Sequence, residues 1–237
     1  MFKALIALLS LLKLGKIATT GGTMLLSIGV YALAFGWRYA AGLVGLIFCH
    51  EMGHFLAARQ RGLDVGAPTF IPFVGAWIQL KNLPHDVETE AYVGIAGPVV
   101  GTAAALACYF AAEVYGSRLL LSLAYAGLML NLFNLLPVAP LDGGRITAIL
   151  SPRIWLLGAP LLLLLFLWRP SPMLLLVAVL ALPSVVSAWR GDFAQGRPAG
   201  YYEVPLAKRA EYAFWYLGLA ALLALLCYEV HVELSQR

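Results

Sequence analysis

His50-Glu51-Met52-Gly53-His54 sits inside an apolar run, with Gly42-Leu43-Val44-Gly45-Leu46-Ile47-Phe48-Cys49 before it and Phe55-Leu56-Ala57-Ala58 after it. A run of that kind reads as a helix, on which His50 and His54 fall one turn apart on one face. Two imidazoles so placed can share one zinc ion. The Glu51 carboxylate beside them can take a proton from a water that the metal activates. Ionisable groups are costly in hydrocarbon, so a cluster of them at membrane depth points to function. The stretch predicts a hydrolytic metal site on a membrane-embedded helix.

Composition sets the surroundings of that helix. Of the 237 residues, 62% are hydrophobic and 12% are charged, against about 25% charged in an ordinary soluble domain. Apolar runs near the ~20 residues that span a bilayer recur along the chain. The expected fold is an all-α polytopic membrane protein of about seven spans, at 21–37, 40–58, 91–115, 119–136, 154–168, 173–189 and 211–228. Trp37, Tyr39, Trp168, Trp189 and Trp215 fall near span ends, where aromatic belts form. A formal charge of +4 is too modest to suggest nucleic acid as a partner. Cys49, Cys108 and Cys227 lie in apolar segments, with no spacing for a disulfide framework or a zinc knuckle.

Residues 1–20 resemble a signal peptide only in part. Lys13 and Lys16 follow the apolar run at once, and no small-x-small site is convincing. An interfacial amphipathic segment is the expectation, followed by a catalytic membrane core at 21–145 and C-terminal transmembrane helices at 146–237. With the N-terminus in the cytoplasm, 12 of the 16 Lys and Arg fall inside, as the positive-inside rule requires. The histidine motif then lies near the cytoplasmic face of a bacterial or archaeal cytoplasmic membrane.

Between the second and third spans, residues 63–84 are apolar but punctuated by Gly66, Pro68, Pro72, Gly75 and Pro84. Short strands fit, as a small membrane-associated β-hairpin or sheet after the histidine helix. A strand edge is not tolerated in lipid, so it must face protein, a cavity or a bound peptide. The segment reads equally as a hydrophobic packing loop or as a substrate edge at Gly75, Ala76 and Trp77. Glycine at position 75 permits close backbone approach. Gly97-Pro98-Val99-Val100-Gly101 opens the third span and fits small-xxx-small helix packing.

Two histidines leave a catalytic zinc one ligand short. The downstream candidate is Asp142, in Asn134-Leu135-Leu136-Pro137-Val138-Ala139-Pro140-Leu141-Asp142-Gly143-Gly144-Arg145. Pro137 and Pro140 should end the fourth helix, and Gly143 and Gly144 permit a tight turn that returns the carboxylate towards the second helix. Asn131, one turn before Asn134, reads as a helix-packing or hydrogen-bonding residue. His85, among Asp86, Glu88 and Glu90, reads as solvated, and His231 as part of the tail.

HExxH followed by a distant Pro-Leu-Asp-Gly-Gly-Arg resembles the site-2 protease family of intramembrane zinc metalloproteases. The resemblance runs from about Gly42 to Arg145 and takes in Phe73 to Trp77 and Ile95-Ala96-Gly97-Pro98. It implies one Zn2+ per chain held by His50, His54 and Asp142, Glu51 as general base, and Asn134 on the substrate or the oxyanion. It implies hydrolysis of peptide bonds in or near transmembrane segments of membrane protein substrates within the lipid bilayer. PDZ and CBS domains, carried by many members, have no room in this sequence, so a compact member is expected. The alternatives are another membrane zincin with a glutamate third ligand, and a non-enzymatic metal transporter or substrate-binding scaffold. A transporter would distribute ionisable groups along a path across the bilayer. Here they cluster at one depth.

Overall fold

A computed structural model of the chain describes residues 2–72, 75–77 and 84–236, with side chains at 19–72 and 84–236. The chain is mostly helical. Its elements in order are α1 (Phe2–Phe35), α2 (Trp37–Gln60), β1 (Thr69–Ile71), β2 (Gly75–Trp77), α3 (Val87–Tyr115), α4 (Arg118–Asn134), α5 (Asp142–Ala148), a 3-10 turn at Pro152–Ile154, α6 (Trp155–Trp168), α7 (Pro172–Arg190) and α8 (Leu206–Gln236). Among the described residues, α2, α3, α7 and α8 are long and apolar enough to cross a membrane. Thr19–Phe35, Arg118–Asn134 and Pro152–Trp168 are shorter apolar helices. Leucines along α6, such as Leu157, Leu163, Leu164 and Leu167, are more than half exposed. Water would penalise that arrangement and lipid does not.

The helix boundaries follow local chemistry. Gly36 and Gly62, with φ of 79° and 74°, break the chain on either side of α2. Asp86 caps α3 by accepting from Thr89 N at 2.6 Å, worth about 1 kcal/mol in comparable caps. Ser117 and Ser171 cap α4 and α7 in the same way. Gly116 and Gly191 close α3 and α7 in the left-handed region.

Several expectations need correction. The third helix starts at Val87, not at residue 91, because the Asp86 cap nucleates it earlier. Gly97 and Pro98 therefore lie inside α3 rather than at its start, an arrangement tolerated where neighbouring helices re-satisfy the backbone. Glu88 and Glu90 belong to the first turn of α3, not to a solvated loop; Glu88 is within 3.9 Å of Arg61 and Glu90 within 3.5 Å of Arg197. Gly143 and Gly144 form no tight turn but lie in α5. His231 lies within α8 and meets the Tyr125 ring at a tilt of 35°, with centroids 5.5 Å apart. His85 is exposed, as expected. Helix α1 runs unbroken from Phe2 to Phe35.

β1 and β2 pair antiparallel, with Thr69 opposite Trp77, Phe70 opposite Ala76 and Ile71 opposite Gly75. Phe73, Val74, Ile78 and Leu80 lie outside the described residues, as do the side chains of Gly75, Ala76 and Trp77. The far edge of β1 meets α1: Phe70 N donates to Thr23 Oγ1 at 3.2 Å, and Thr20 Oγ1 donates to Pro68 O at 2.7 Å.

The structural core is formed by α2 and α4 on either side of α3, with α5 against α3 and α8 against α4. Two long-range bonds hold the 135–144 segment: Tyr216 Oη donates to Leu135 O at 2.7 Å, and Trp155 Nε1 to Gly144 O at 2.8 Å. The 191–205 loop folds back onto the start of α3. Tyr201 Oη donates to Glu90, and Tyr201 O accepts from Val87 N at 3.0 Å. Burial and the Glu90 carboxylate raise the Tyr201 phenol well above its ordinary range.

Candidate metal centre

His50 and His54 project from the buried face of α2, which also carries Val44, Ile47, Gly53 and Ala57. The two rings meet edge to face, with centroids 4.8 Å apart. Asp142, the first residue of α5, reaches the same point although 92 residues separate it from His50. His50 Nε2 and His54 Nε2 are 3.1 Å apart. Asp142 Oδ2 lies 3.1 Å from the first and 3.2 Å from the second. All three residues are buried, with exposures of 3%, 7% and 8%. Among the described residues, this is the group of His, Cys, Asp and Glu side chains that could hold a metal ion.

The opposite ring nitrogens decide what faces the centre. His54 Nδ1 lies 2.7 Å from Val93 O, and a carbonyl only accepts, so Nδ1 carries the hydrogen. His50 Nδ1 lies 2.8 Å from Asn131 Oδ1. Asn131 Nδ2 is spoken for, because it donates to Gly127 O at 2.8 Å. The oxygen therefore faces His50, which also carries its hydrogen on Nδ1. Both Nε2 atoms then present lone pairs to each other and to a carboxylate oxygen. Three acceptors cannot satisfy one another; a cation between them can. Donors ~2.0–2.1 Å from one tetrahedral zinc ion lie about 3.3 Å apart, close to the separations above.

The backbone of α3 comes unusually close. A methyl group on Gly97 would sit 2.2 Å from His54 Nε2, and one on Gly101 would sit 2.4 Å from Asn131 Oδ1. On Gly53 it would meet Ala96 O at 2.4 Å. The small-residue pattern of 97–101 thus keeps side chains out of the centre. Gly143 and Gly144 do the same for α5, whose methyls would strike the 135–139 backbone at 2.1 and 2.2 Å. Gly97→Ala is expected to push His54 aside and lower zinc content below half of wild type, about the loss from a tenfold weaker site measured near its dissociation constant. Metal analysis of the purified variant checks this.

Glu51, half-buried on α2, lies within electrostatic range of His54, His50, Asp142 and Arg145. Asn134 is half-buried at the last residue of α4. Gly75, Ala76 and Trp77 form β2, on the loop between α2 and α3. Asn131 is hydrogen-bonded, as expected, to His50 and Gly127, whereas the Val93 carbonyl at His54 was not foreseen. An asparagine in an apolar helix was the available signal for the first; a backbone acceptor leaves none.

Residues 38–117 match the model of Peptidase family M50. That segment includes His50, Glu51 and His54 but not Asp142. The chain is 34% identical over 113 residues to a zinc metalloprotease of Methanocaldococcus jannaschii, covering 45% of this chain and 32% of that protein. It is 33% identical over 134 residues to a Mycobacterium tuberculosis protein named as zinc metalloprotease Rip3, covering 51% of this chain and 33% of that one. The chain thus spans about a third of the length of these curated relatives. A solved site-2 protease from Methanocaldococcus jannaschii overlaps 70% of this chain and 85% of its own, at 27% identity and a TM-score of 0.45. With its apolar helices, the chain is an integral membrane protein. The segment carrying the histidine pair is thus similar to peptidase family M50, and its relatives by sequence are named as zinc metalloproteases.

Proposed function

We propose that this protein is an intramembrane zinc metalloprotease that hydrolyses peptide bonds in or near transmembrane segments of membrane proteins. The observation that carries the reading is the convergence of His50 Nε2, His54 Nε2 and Asp142 Oδ2, with both Nδ1 hydrogens turned away. This donor set fits one zinc ion. The relatives' names as zinc metalloproteases support that choice of metal.

Bound there, zinc supplies Lewis acidity towards a water and a peptide carbonyl. Glu51 takes the proton of the attacking water and passes it to the leaving amine, splitting the peptide bond. The Asn134 amide donates to the carbonyl oxygen as negative charge develops on it. The surrounding apolar helices limit bulk water, which strengthens each of these interactions.

The substrate must be extended, since a helix hides its carbonyls. Phe70 directs its N–H outward to Thr23, so its partner Ala76 directs its own N–H and C=O to the opposite edge of the pair. Gly75, Ala76 and Trp77 then offer that edge to a substrate strand. In this reading the two strands form a hairpin, and the three shorter apolar helices join the four long ones as about seven spans. Residues 1–20 lie at the interface, 21–145 form the catalytic core and 146–237 add transmembrane helices. The lysine and arginine distribution supports a cytoplasmic N-terminus and a site near the cytoplasmic face.

Protein purified in detergent should carry about one zinc per chain and cleave a single-span membrane substrate. Chelation should abolish cleavage and added zinc restore it. A folded protein that binds no zinc, or one that cleaves equally well after chelation, overturns the reading.

A further inference from the structure

We propose that Asn131 is a positioning residue that fixes His50 in the tautomer able to bind zinc through Nε2. The inference rests on the zinc reading above and deepens it. Asn131 is 1% exposed, and an amide so buried is costly unless both ends are bonded. Stabilising α4 alone would need only the bond from Nδ2 to Gly127 O. The structure adds a second bond, from His50 Nδ1 to Asn131 Oδ1 at 2.8 Å, across 81 residues of sequence.

The two bonds act in order. The Gly127 carbonyl fixes which end of the amide faces away, and the oxygen left over accepts only from a protonated Nδ1. The His50 lone pair is thereby committed to the side of His54 and Asp142. Gly101 leaves room for this amide, since a methyl there would overlap its oxygen. On His54 the Val93 carbonyl performs the same task from the backbone, so Asn131 is the half of the device that mutation can reach. Such partners also raise ligand basicity and restrict ring rotation.

The test is zinc affinity of the full chain in detergent, by competition with a chelator of known affinity. Asn131→Leu keeps the shape and removes the acceptor. Asn131→Asp keeps an acceptor facing His50. Asn131→Leu is expected to bind zinc ~10–100-fold more weakly, and Asn131→Asp to stay within about threefold of wild type. Thermal unfolding of the chelated forms separates a lost fold from a lost ligand orientation. If Asn131→Leu does not fold, Asn131→Ala removes the same acceptor without bulk and carries the same expectation. Wild-type affinity in the variants lacking the acceptor, or an equal loss in Asn131→Asp, overturns the proposal while leaving the zinc reading intact. A wild type without zinc removes both.

Discussion

Glu51→Gln should lower cleavage of a single-span membrane substrate by at least ~100-fold, the low end for loss of a general base. Its zinc content should stay near that of wild type. Glutamine keeps the size of the side chain but cannot accept a proton under these conditions. Glu51 is next to His50 in sequence, yet its side chain is not in the triangle of donors that meets at Asp142. The variant therefore separates chemistry from metal binding. Turnover measured under single-turnover conditions, beside metal analysis of the same sample, gives both quantities. Near-normal cleavage would remove Glu51 from its role, and loss of zinc would make it a ligand instead.

The paired variant His50→Ala/His54→Ala should lose zinc altogether, and cleavage with it. Removing two of three donors leaves Asp142 alone, and a single carboxylate does not retain zinc against a chelator. Asp142→Ala should also weaken binding, by the same logic, although it lies outside the family segment at 38–117. Full zinc retention in the double variant would sink the assignment of the centre. Retention in Asp142→Ala alone would remove only the third donor. Thermal unfolding of each variant against chelated wild type shows whether a missing metal or a missing fold is responsible.

The local sequence was enough for the pieces of this site. A four-residue spacing on an apolar run fixes the two histidines on one face of a helix, because helical geometry leaves no other arrangement. Pro137 ends α4 soon after Asn134, since proline has no N–H to continue the ladder. Total apolar content and the recurrence of apolar runs were enough for a membrane class.

What faces what was decided by packing. Whether the 143–144 glycines make a turn or a helix depends on the 135–139 backbone pressing against them, which no local pattern encodes. The start of α3 moved to Val87 because one aspartate cap outweighed the glycine and proline further on. The direction of each histidine lone pair depends on an amide from α4 and a carbonyl from α3, residues 81 and 39 positions away. Sequence determines which donors exist and which helix face carries them. Only the tertiary structure brings acceptors to the far side of both rings, because a hydrogen bond requires an approach within ~3 Å that distant segments reach by folding.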